Sequence, residues 1–104
     1  LAVDEVWVPN FDDGTLTVID PNSLEVVETV PLGGNPTTPT EFRGLVWVAE
    51  QQTDRLLAVD PTSREVVAAV PVGVKPANPT VAAERLYVPN RDDGTVSVVE
   101  VTAP

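Results

Sequence analysis

The sequence contains no cysteine, no histidine and no methionine in its 104 residues. The first two absences exclude thiol chemistry, haem attachment through cysteine, Cys/His zinc sites and a Ser-His-Asp triad. Because methionine is also missing, the sequence does not begin at a translation start. We therefore expect a processed protein, an expressed segment or a piece of something longer.

Positive charge is also scarce. Six Lys and Arg residues stand against sixteen Asp and Glu residues, so the net charge is −10. Nucleic acid is not an expected partner, because binding it needs a cationic surface, and an anionic membrane would repel the chain. We attribute the acidity to solubility, with a salt-rich habitat or cation binding as alternatives. No apolar run approaches the roughly 18–20 residues of a membrane span, and no signal peptide is found in this chain.

Valine is the most informative residue that is present. The chain has 21 valines, 11 prolines and 6 glycines. The branched Cβ of valine suits a pleated, buried surface, while proline and glycine favour turns. At this length the chain fits one domain. We predict a single all-β domain over residues 1–104.

A 40-residue repeat organises this domain. Residues 6–40 align with 46–80 without a gap, and "DP.S.EVV..VP.G..P..PT" occurs twice, at 20–40 and 60–80. A third copy begins with "LYVPNRDDGTVSVVE" and stops in "VTAP". A fixed period of this size indicates a repeat architecture with one supersecondary unit per copy. The units are about 1–40, 41–80 and an incomplete 81–104.

Each unit divides into short strands bounded by turn residues. Asp-Asp-Gly in copies one and three predicts a hairpin with a tight primed turn, because glycine accepts positive φ. "DPNS" and "DPTS" predict the next turns. The first predicted strand of each unit is 5–8, 44–49 or 85–88, and its hairpin partner is 15–20, 55–60 or 95–100. The third strand is 24–30 or 64–70. A weakly marked fourth strand lies around 40–44 and 80–84.

The apolar runs predict how these sheets pack. "LVWVA" and "EVVAAV" would bury side chains on both faces, as expected for a small sheet between two others. Four-stranded sheets of about 40 residues stacked around an axis form a β-propeller. We predict a partial β-propeller of about 2.5 four-stranded antiparallel blades. The alternatives are a β-sandwich and a β-solenoid.

The repeat resembles the YVTN-type β-propeller family of surface-layer and secreted proteins. The motifs that carry the resemblance are Tyr87-Val88 with Asn90, "VSV" at 96–98 and "VPVG" at 70–73, and it covers nearly the whole chain. Copy two departs from the pattern, because Ala49-Glu50 replaces the Asn position and "QQTDR" replaces the Asp-Asp-Gly turn. The resemblance implies an extracellular or cell-surface propeller that serves as an interaction platform. Relatives of similar blade shape are quinone- or copper-dependent oxidoreductases and lactonases.

Two and a half copies predict open surfaces. A closed propeller needs at least about four blades, so this chain alone would expose an apolar sheet face at each end. We expect it to belong to a longer propeller chain, to form a ring with copies of itself, or to form a filament. The incomplete first and last units also suggest strand exchange across a junction.

Paired carboxylates are the candidate metal ligands. Asp12-Asp13 and Asp92-Asp93 occupy equivalent loops, each two residues after an Asn. Calcium often takes its oxygens from such loops. The alternative, which we favour, is a hairpin turn with Asx capping, so we assign no metal, cofactor or catalytic residue and keep calcium as a possibility.

Positions that differ between copies are the other candidates. Phe11, Gln51 and Arg91 share one slot at a hairpin tip, and Phe42-Arg43 takes the place of Ala82-Ala83 on the strand that lines a propeller channel. Arg43 could meet an anionic ligand there or be a solvated or paired side chain. The aromatic residues at the position shared by all copies, Trp7, Trp47 and Tyr87, are expected to pack between blades. Thr15 and Thr95 are expected to be strand residues rather than nucleophiles.

The leading functional hypothesis is a non-catalytic structural or interaction module of a cell-surface or secreted propeller. It would act by self-assembly or partner binding. The second is a fragment of a propeller enzyme, quinoprotein-like or lactonase-like, whose active site lies in other blades. A designed or consensus repeat protein is the third. Converging charged side chains in the channel would favour the enzyme, and a channel of Thr, Val and Ala would favour the module.

Overall fold

The computed structural model describes residues 4–101, which form ten β-strands. Each strand is three to six residues long, as the turn spacing predicts. The strands are β1 (Val6–Asn10), β2 (Thr15–Ile19), β3 (Val26–Pro31), β4 (Thr40–Phe42), β5 (Leu45–Glu50), β6 (Arg55–Val59), β7 (Val66–Pro71), β8 (Thr80–Ala82), β9 (Arg85–Asn90) and β10 (Thr95–Val99). Within this part of the chain, no helix is long and apolar enough to cross a membrane.

The strands form three antiparallel sheets, one for each copy of the repeat. Blade 1 has the order β1-β2-β3, blade 2 has β4-β5-β6-β7 and blade 3 has β8-β9-β10. The weakly marked fourth strand is therefore confirmed in copies two and three. In the described residues, blade 1 lacks the inner strand that β4 and β8 provide, and blade 3 lacks the outer strand. The missing strands thus lie at opposite edges of their sheets.

The third strands begin two residues later than predicted. Leu24 and Arg64 have φ of 61° and 67°, which no strand residue adopts, so each turn extends past the serine before it. The turns themselves are as predicted. Asp20 Oδ1 accepts hydrogen bonds from the amides of Asn22 and Ser23 at 2.8 and 3.3 Å. Asp60 does the same in copy two.

The Asp-Asp-Gly hairpins form, but the predicted tight primed turn is wrong. Asn10 pairs with Thr15, which leaves a four-residue loop, and the amide of Gly14 donates to the carbonyl of Asn10 at 3.0 Å. Only Gly14 in this loop has a positive φ, of 70°. Copy two keeps the same geometry without glycine. There Asp54 has φ of 57° and donates to the carbonyl of Glu50 at 3.1 Å, since Asp tolerates this conformation better than most residues.

Two apolar layers hold the three blades together. The side chains of Leu16 and Val18 in blade 1 pack against Val46, Val48 and Val59 in blade 2. In the second layer, Leu56 and Ala58 of blade 2 meet Leu86 and Val88 of blade 3, which are 30 residues further along the chain. Blade 2 is therefore buried on both faces, which explains its unbroken apolar runs.

The shared aromatic position lies between blades in copies one and two, as predicted. Trp7 is in the first apolar layer and Trp47 is in the second, each only 4% exposed. The indole Nε1 of Trp47 donates to the carbonyl of Phe42 at 2.9 Å. Tyr87 occupies the equivalent position on blade 3, where it is half-buried because no further blade follows in the described residues.

Candidate functional site

The linker from each blade to the next runs along the end of a strand of the next blade, which is β5 in blade 2 and β9 in blade 3. The amide of Thr37 donates to the carbonyl of Ala49 at 2.8 Å. The amide of Ala77 donates to the carbonyl of Pro89 at the same distance. The carbonyls of Asn35 and Lys75 in the linkers in turn accept hydrogen bonds from backbone amides at the hairpin tips. Each blade junction therefore combines an apolar layer with a backbone clamp at one end.

A polar side chain occupies the equivalent position at the end of this strand in every copy. Asn10 Nδ2 donates to Thr15 Oγ1 and Thr17 Oγ1 at 3.0 and 2.7 Å. Asn90 Nδ2 makes the same contacts with Thr95 and Ser97 at 3.1 and 2.9 Å. The side chains at 15 and 95 are thus hydrogen-bond acceptors on strands, which confirms their predicted place in the fold.

Copy two replaces this arrangement with a buried carboxylate. Glu50 is fully buried, and its Oε1 accepts from Thr53 Oγ1 at 2.8 Å and from Arg55 Nη2 at 3.0 Å. Within the described residues its Oε2 has no hydrogen-bond partner. The sequence shows that Glu50 replaces the asparagine but does not predict that its carboxylate is buried. The sequence nevertheless shows that copy two differs at this position. Asn is followed five residues later by Thr in copies one and three, whereas Glu is followed five residues later by Arg in copy two.

Glycines let the linkers pass over these side chains. A Cβ on Gly34 would lie 2.6 Å from Cδ of Glu50, and one on Gly73 would lie 2.6 Å from Cγ of Asn90. Atoms of real structures do not approach so closely, and Gly34 also has a φ of 63°. The amide of Gly73 uses the close approach to donate to Asn90 Oδ1 at 3.0 Å. Gly73, the glycine of the "VP.G" motif in copy two, therefore contacts the next blade directly, whereas in copy one the contact is made by Gly34 and the motif glycine, Gly33, has nothing within 4 Å of its Cβ position.

The paired carboxylates at the hairpin tips serve the clamp in copy three. Asp93 Oδ2 accepts from the amide of Val74 at 2.9 Å, and Asp92 lies 3.8 Å from Lys75 Nζ. Asp12 and Asp13 are exposed at the equivalent tip of blade 1. Among residues 4–101, no three acidic side chains lie close enough together to hold a metal ion. Calcium binding by these loops stays a prediction.

Two of the variable tip residues share a cleft. Phe11 and Gln51 line it together with Asn35, Gln52 and Lys75 at the junction of blades 1 and 2. The side-chain Nδ2 of Asn35 donates to the carbonyl of Phe11 at 2.8 Å, which ties the linker to the tip. Arg91 lies at the next junction, so the structure does not bring the three variable residues into one site.

Arg43 lies one residue beyond the channel strand. β4 ends at Phe42, and Arg43 occupies the following turn with φ of 52° and its guanidinium 5.3 Å from the Phe42 ring centroid. It lines a shallow cleft with Ala83, Glu84 and Arg85. The prediction that Arg43 lies on the channel strand is therefore wrong, because positive φ at this residue ends the strand.

A bidentate ion pair joins blades 1 and 2 at the end opposite the clamp. Arg64 Nη1 and Nη2 donate to Glu5 Oε1 and Oε2, both at 2.7 Å, and the guanidinium lies 5.3 Å from the centroid of the Trp7 ring. Both side chains are mostly buried. The Arg64 guanidinium holds the pKa of the Glu5 carboxyl below its ordinary value. Arg64 therefore covers the indole that the blade would otherwise expose.

This ion pair predicts a pH dependence. Because the pKa of Glu5 is lowered in the folded chain, the pair stabilises the fold above the unfolded value of about 4.3 and loses its effect as pH falls through the folded pKa. We expect Glu5→Gln to lower the unfolding free energy by about 1 kcal/mol at pH 7 and to have little effect near pH 3. Urea unfolding at both pH values measures this. An equal loss at both pH values would contradict the account, and Glu65→Gln, at an exposed position, is the control.

Two sheet faces at the ends of the stack are open. The positions buried at both inner junctions are exposed there: on blade 3, Val96 and Val98 are 58% and 54% exposed, whereas Leu56 and Ala58 are fully buried. On blade 1, Val6 and Val8 are 45% and 38% exposed, whereas their equivalents in blades 2 and 3 are fully buried. We call the open face of blade 3 the trailing face (Tyr87, Val96, Val98). The open face of blade 1 is the leading face (Val6, Val8, Ile19).

Comparison with solved structures identifies the arrangement of the three sheets. BamB from Moraxella catarrhalis superposes with a TM-score of 0.80 at 18% sequence identity, over 97% of this chain and 30% of its own. The chain is a partial β-propeller. The predicted fold class is therefore confirmed.

Two further propeller structures are similar. Kuenenia stuttgartiensis hydrazine synthase superposes with a TM-score of 0.72 at 13% identity, over 90% of this chain and 31% of that one. Dihydro-heme d1 dehydrogenase NirN in complex with DHE gives 0.66 at 20% identity, over 93% and 24%. The chain thus spans less than a third of the length of each of these structures. No protein-family model and no curated protein matches the sequence.

Proposed function

We propose that the chain is a non-catalytic interaction module of a cell-surface or secreted β-propeller of the YVTN type. It acts by joining its leading and trailing faces to further blades, either those of other copies or those of the remainder of a longer chain. The observation that carries this proposal is the pair of open faces. Each presents the same side-chain positions that are buried between the blades of the chain itself.

The open faces favour association on energetic grounds. Burying a valine side chain completely contributes about 1.5–3 kcal/mol, so each half-exposed valine would add about 1 kcal/mol when covered. Val6, Val8, Val96 and Val98 together supply several such contributions. The backbone clamp offers a further contact, because Asn10 Oδ1 occupies the place where Asn90 Oδ1 accepts the amide of a linker glycine. Soluble monomers rarely leave apolar surfaces of this kind uncovered.

The inner strands support an interaction module over a catalytic one. β4 and β8, which would face the channel of a closed propeller, carry Thr-Glu-Phe and Thr-Val-Ala. Glu41 is the one acidic residue of these two strands, so they bring no group of charged side chains together. A fragment of a propeller enzyme remains the competing hypothesis. It requires that the catalytic groups come from blades outside the part of the chain that the structure describes.

A charge placed on the trailing face tests the proposal. Val98→Asp should abolish association of the chain, because an aspartate would be buried without a partner at the new junction. Val67→Asp is the matched control, since Val67 is 52% exposed although blade 2 is covered on both faces. Light scattering behind size exclusion gives the mass of each variant. Association that survives Val98→Asp, or a wild-type chain that does not associate, would contradict the proposal.

A further inference from the structure

The cleft at the junction of blades 1 and 2 has the size of a site for a small molecule. Its volume is about 310 Å³, and five side chains line it: Phe11, Asn35, Gln51, Gln52 and Lys75. Pockets that bind small molecules start at about 300 Å³, so this cleft has room for one ring-sized ligand. Its lining comes from the described blades and linkers, so the cleft does not depend on what covers the leading and trailing faces.

Hydrogen bonds hold the lining of the cleft in place. The carbonyl of Asn35 accepts from the amide of Gln51 at 3.1 Å, and its side-chain Nδ2 donates to the carbonyl of Phe11 at 2.8 Å. On the other side of the cleft, the amide of Lys75 donates to Asp54 Oδ1 at 2.9 Å. A ligand that enters therefore meets a surface that is already ordered, which lowers the entropy cost of binding.

The lining combines an aromatic ring with amides that can both donate and accept hydrogen bonds. Phe11 is 45% exposed, so its ring is open to a ligand. The side chains of Gln51 and Gln52 each supply an NH₂ donor and a carbonyl acceptor. None of the residues described as lining the cleft is acidic, although the chain has sixteen Asp and Glu residues. A ligand that matches these groups has an apolar face and several hydroxyl groups, and it is not a cation.

An anion does not match the cleft either. Lys75 Nζ lies 3.8 Å from Asp92 Oδ2, so its positive charge is partly neutralised. Asp54 lies next to it, at the backbone amide of the same lysine. The whole chain carries a net charge of −10 and repels anions at longer range. The electrostatics of the cleft therefore favour a neutral ligand.

The next junction shows that the repeat itself does not require these side chains. The lining positions recur 40 residues later with other residues: Gln51 for Phe11, Lys75 for Asn35, Arg91 for Gln51 and Asp92 for Gln52. The backbone contact is the same there, because the amide of Arg91 donates to the carbonyl of Lys75 at 3.0 Å. A phenyl ring with two side-chain amides is thus particular to the junction of blades 1 and 2, where a purely structural role would be met equally well by the other set.

We propose that this cleft binds one ring of a neutral saccharide. The C–H groups of a pyranose form an apolar face, which packs on the ring of Phe11, while its hydroxyl groups exchange hydrogen bonds with Gln51 and Gln52. The ammonium group of Lys75 donates to a further hydroxyl at the rim. A ligand of this size in an open cleft binds with a dissociation constant on the order of millimolar. This activity is additional to the association of the open faces and does not require it.

Titration of the ¹⁵N-labelled 104-residue chain, followed by nuclear magnetic resonance, tests the site. The probes are the methyl glycosides of glucose, galactose, mannose and N-acetylglucosamine. At least one of them should shift the amide signals of Phe11, Gln51 and Gln52 saturably and leave those of Arg91 and Asp92 unchanged. The absence of a saturable shift with all four probes would overturn the inference. Saturable shifts confined to Arg91 and Asp92 would overturn it as well, because the site would then lie at the other junction.

Substitutions at the lining test the assigned contacts with the probe that binds. Phe11→Ala should weaken binding about tenfold, because the sugar loses its apolar platform. Gln51→Ala should weaken it severalfold, whereas Arg91→Ala, at the same slot of the next junction, is the matched control and should leave the affinity unchanged. All three side chains are at hairpin tips, so the variants are expected to fold. An affinity that is unchanged by Phe11→Ala, or lowered equally by Gln51→Ala and Arg91→Ala, would contradict the proposal.

An acidic sugar tests whether the ligand is neutral. The methyl glycoside of glucuronic acid should bind more weakly than that of glucose, because the net charge of the chain repels its carboxylate and Asp92 competes for Lys75. Tighter binding of the glucuronide would overturn the assignment of a neutral saccharide.

Discussion

Replacing Leu56 by alanine should lower the unfolding free energy by about 3–4 kcal/mol. Leu56 is fully buried at the centre of the second apolar layer, where it meets Leu86 and Val88 of blade 3. Leucine-to-alanine substitutions at such positions lose the transfer free energy of the side chain and leave a cavity that the surroundings only partly fill. For a domain of this size, the loss is a large part of the total stability. Urea unfolding at one fixed protein concentration measures it.

An exposed valine of the same blade supplies the control for this substitution. Val67 lies in the outer strand β7 of the same blade and is half exposed. Val67→Ala should change the unfolding free energy by less than about 1 kcal/mol. Comparable losses from the two variants would show that Leu56 does not lie between two sheets. The stacking of blade 2 on blade 3 would then be wrong.

Removing Arg55 is the second substitution with a large expected effect. Arg55→Ala leaves the buried carboxylate of Glu50 with one hydrogen bond to Oε1, from Thr53, and none to Oε2 among the described residues. A buried charge that loses its partner costs about 3–5 kcal/mol. Because the Arg55 side chain is 45% exposed and its charge is partly screened, we expect about 2–3 kcal/mol. The midpoint of urea unfolding should fall accordingly.

The other copies suggest how this loss can be reversed. Glu50→Asn combined with Arg55→Thr recreates the pairs Asn10–Thr15 and Asn90–Thr95 within blade 2. The double variant should be clearly more stable than Arg55→Ala, because it leaves no buried charge. If the double variant were the less stable of the two, the clamp would not be an exchangeable unit of the repeat. A double variant as stable as the natural chain would show that the carboxylate contributes nothing of its own.

The repeat period was sufficient to predict the architecture. Strand positions, the inter-blade location of Trp7 and Trp47 and the burial of blade 2 on both faces follow from a 40-residue period and apolar runs without alternation. Local backbone conformation was harder to predict. Leu24, Arg43 and Arg64 all adopt positive φ although none is glycine, and this shifted two strand starts and removed Arg43 from its strand. In two of them the turn itself holds the conformation, because the amides of Leu24 and Arg64 donate to the carbonyls of Asp20 and Asp60 at 2.8 Å.

The functional surfaces needed the structure. The sequence predicted that apolar faces would be exposed but not which side chains form them, because strand alternation alone does not say which face meets the next blade. The burial of Glu50 was not predicted, because a glutamate that follows a predicted strand is normally solvated. Reading positions 50 and 55 together against the other two copies would have revealed the substitution of one polar pair by another.

The solution mass of the natural 104-residue chain tests the central claim most directly. Light scattering over a range of concentrations, combined with circular dichroism to confirm folding, should give a mass above the 11.1 kDa of one chain. That result would mean that the open blade faces are covered by other copies of the chain. A folded, soluble species of 11.1 kDa at all concentrations would contradict it, because the leading and trailing faces would then be stable in water without a partner.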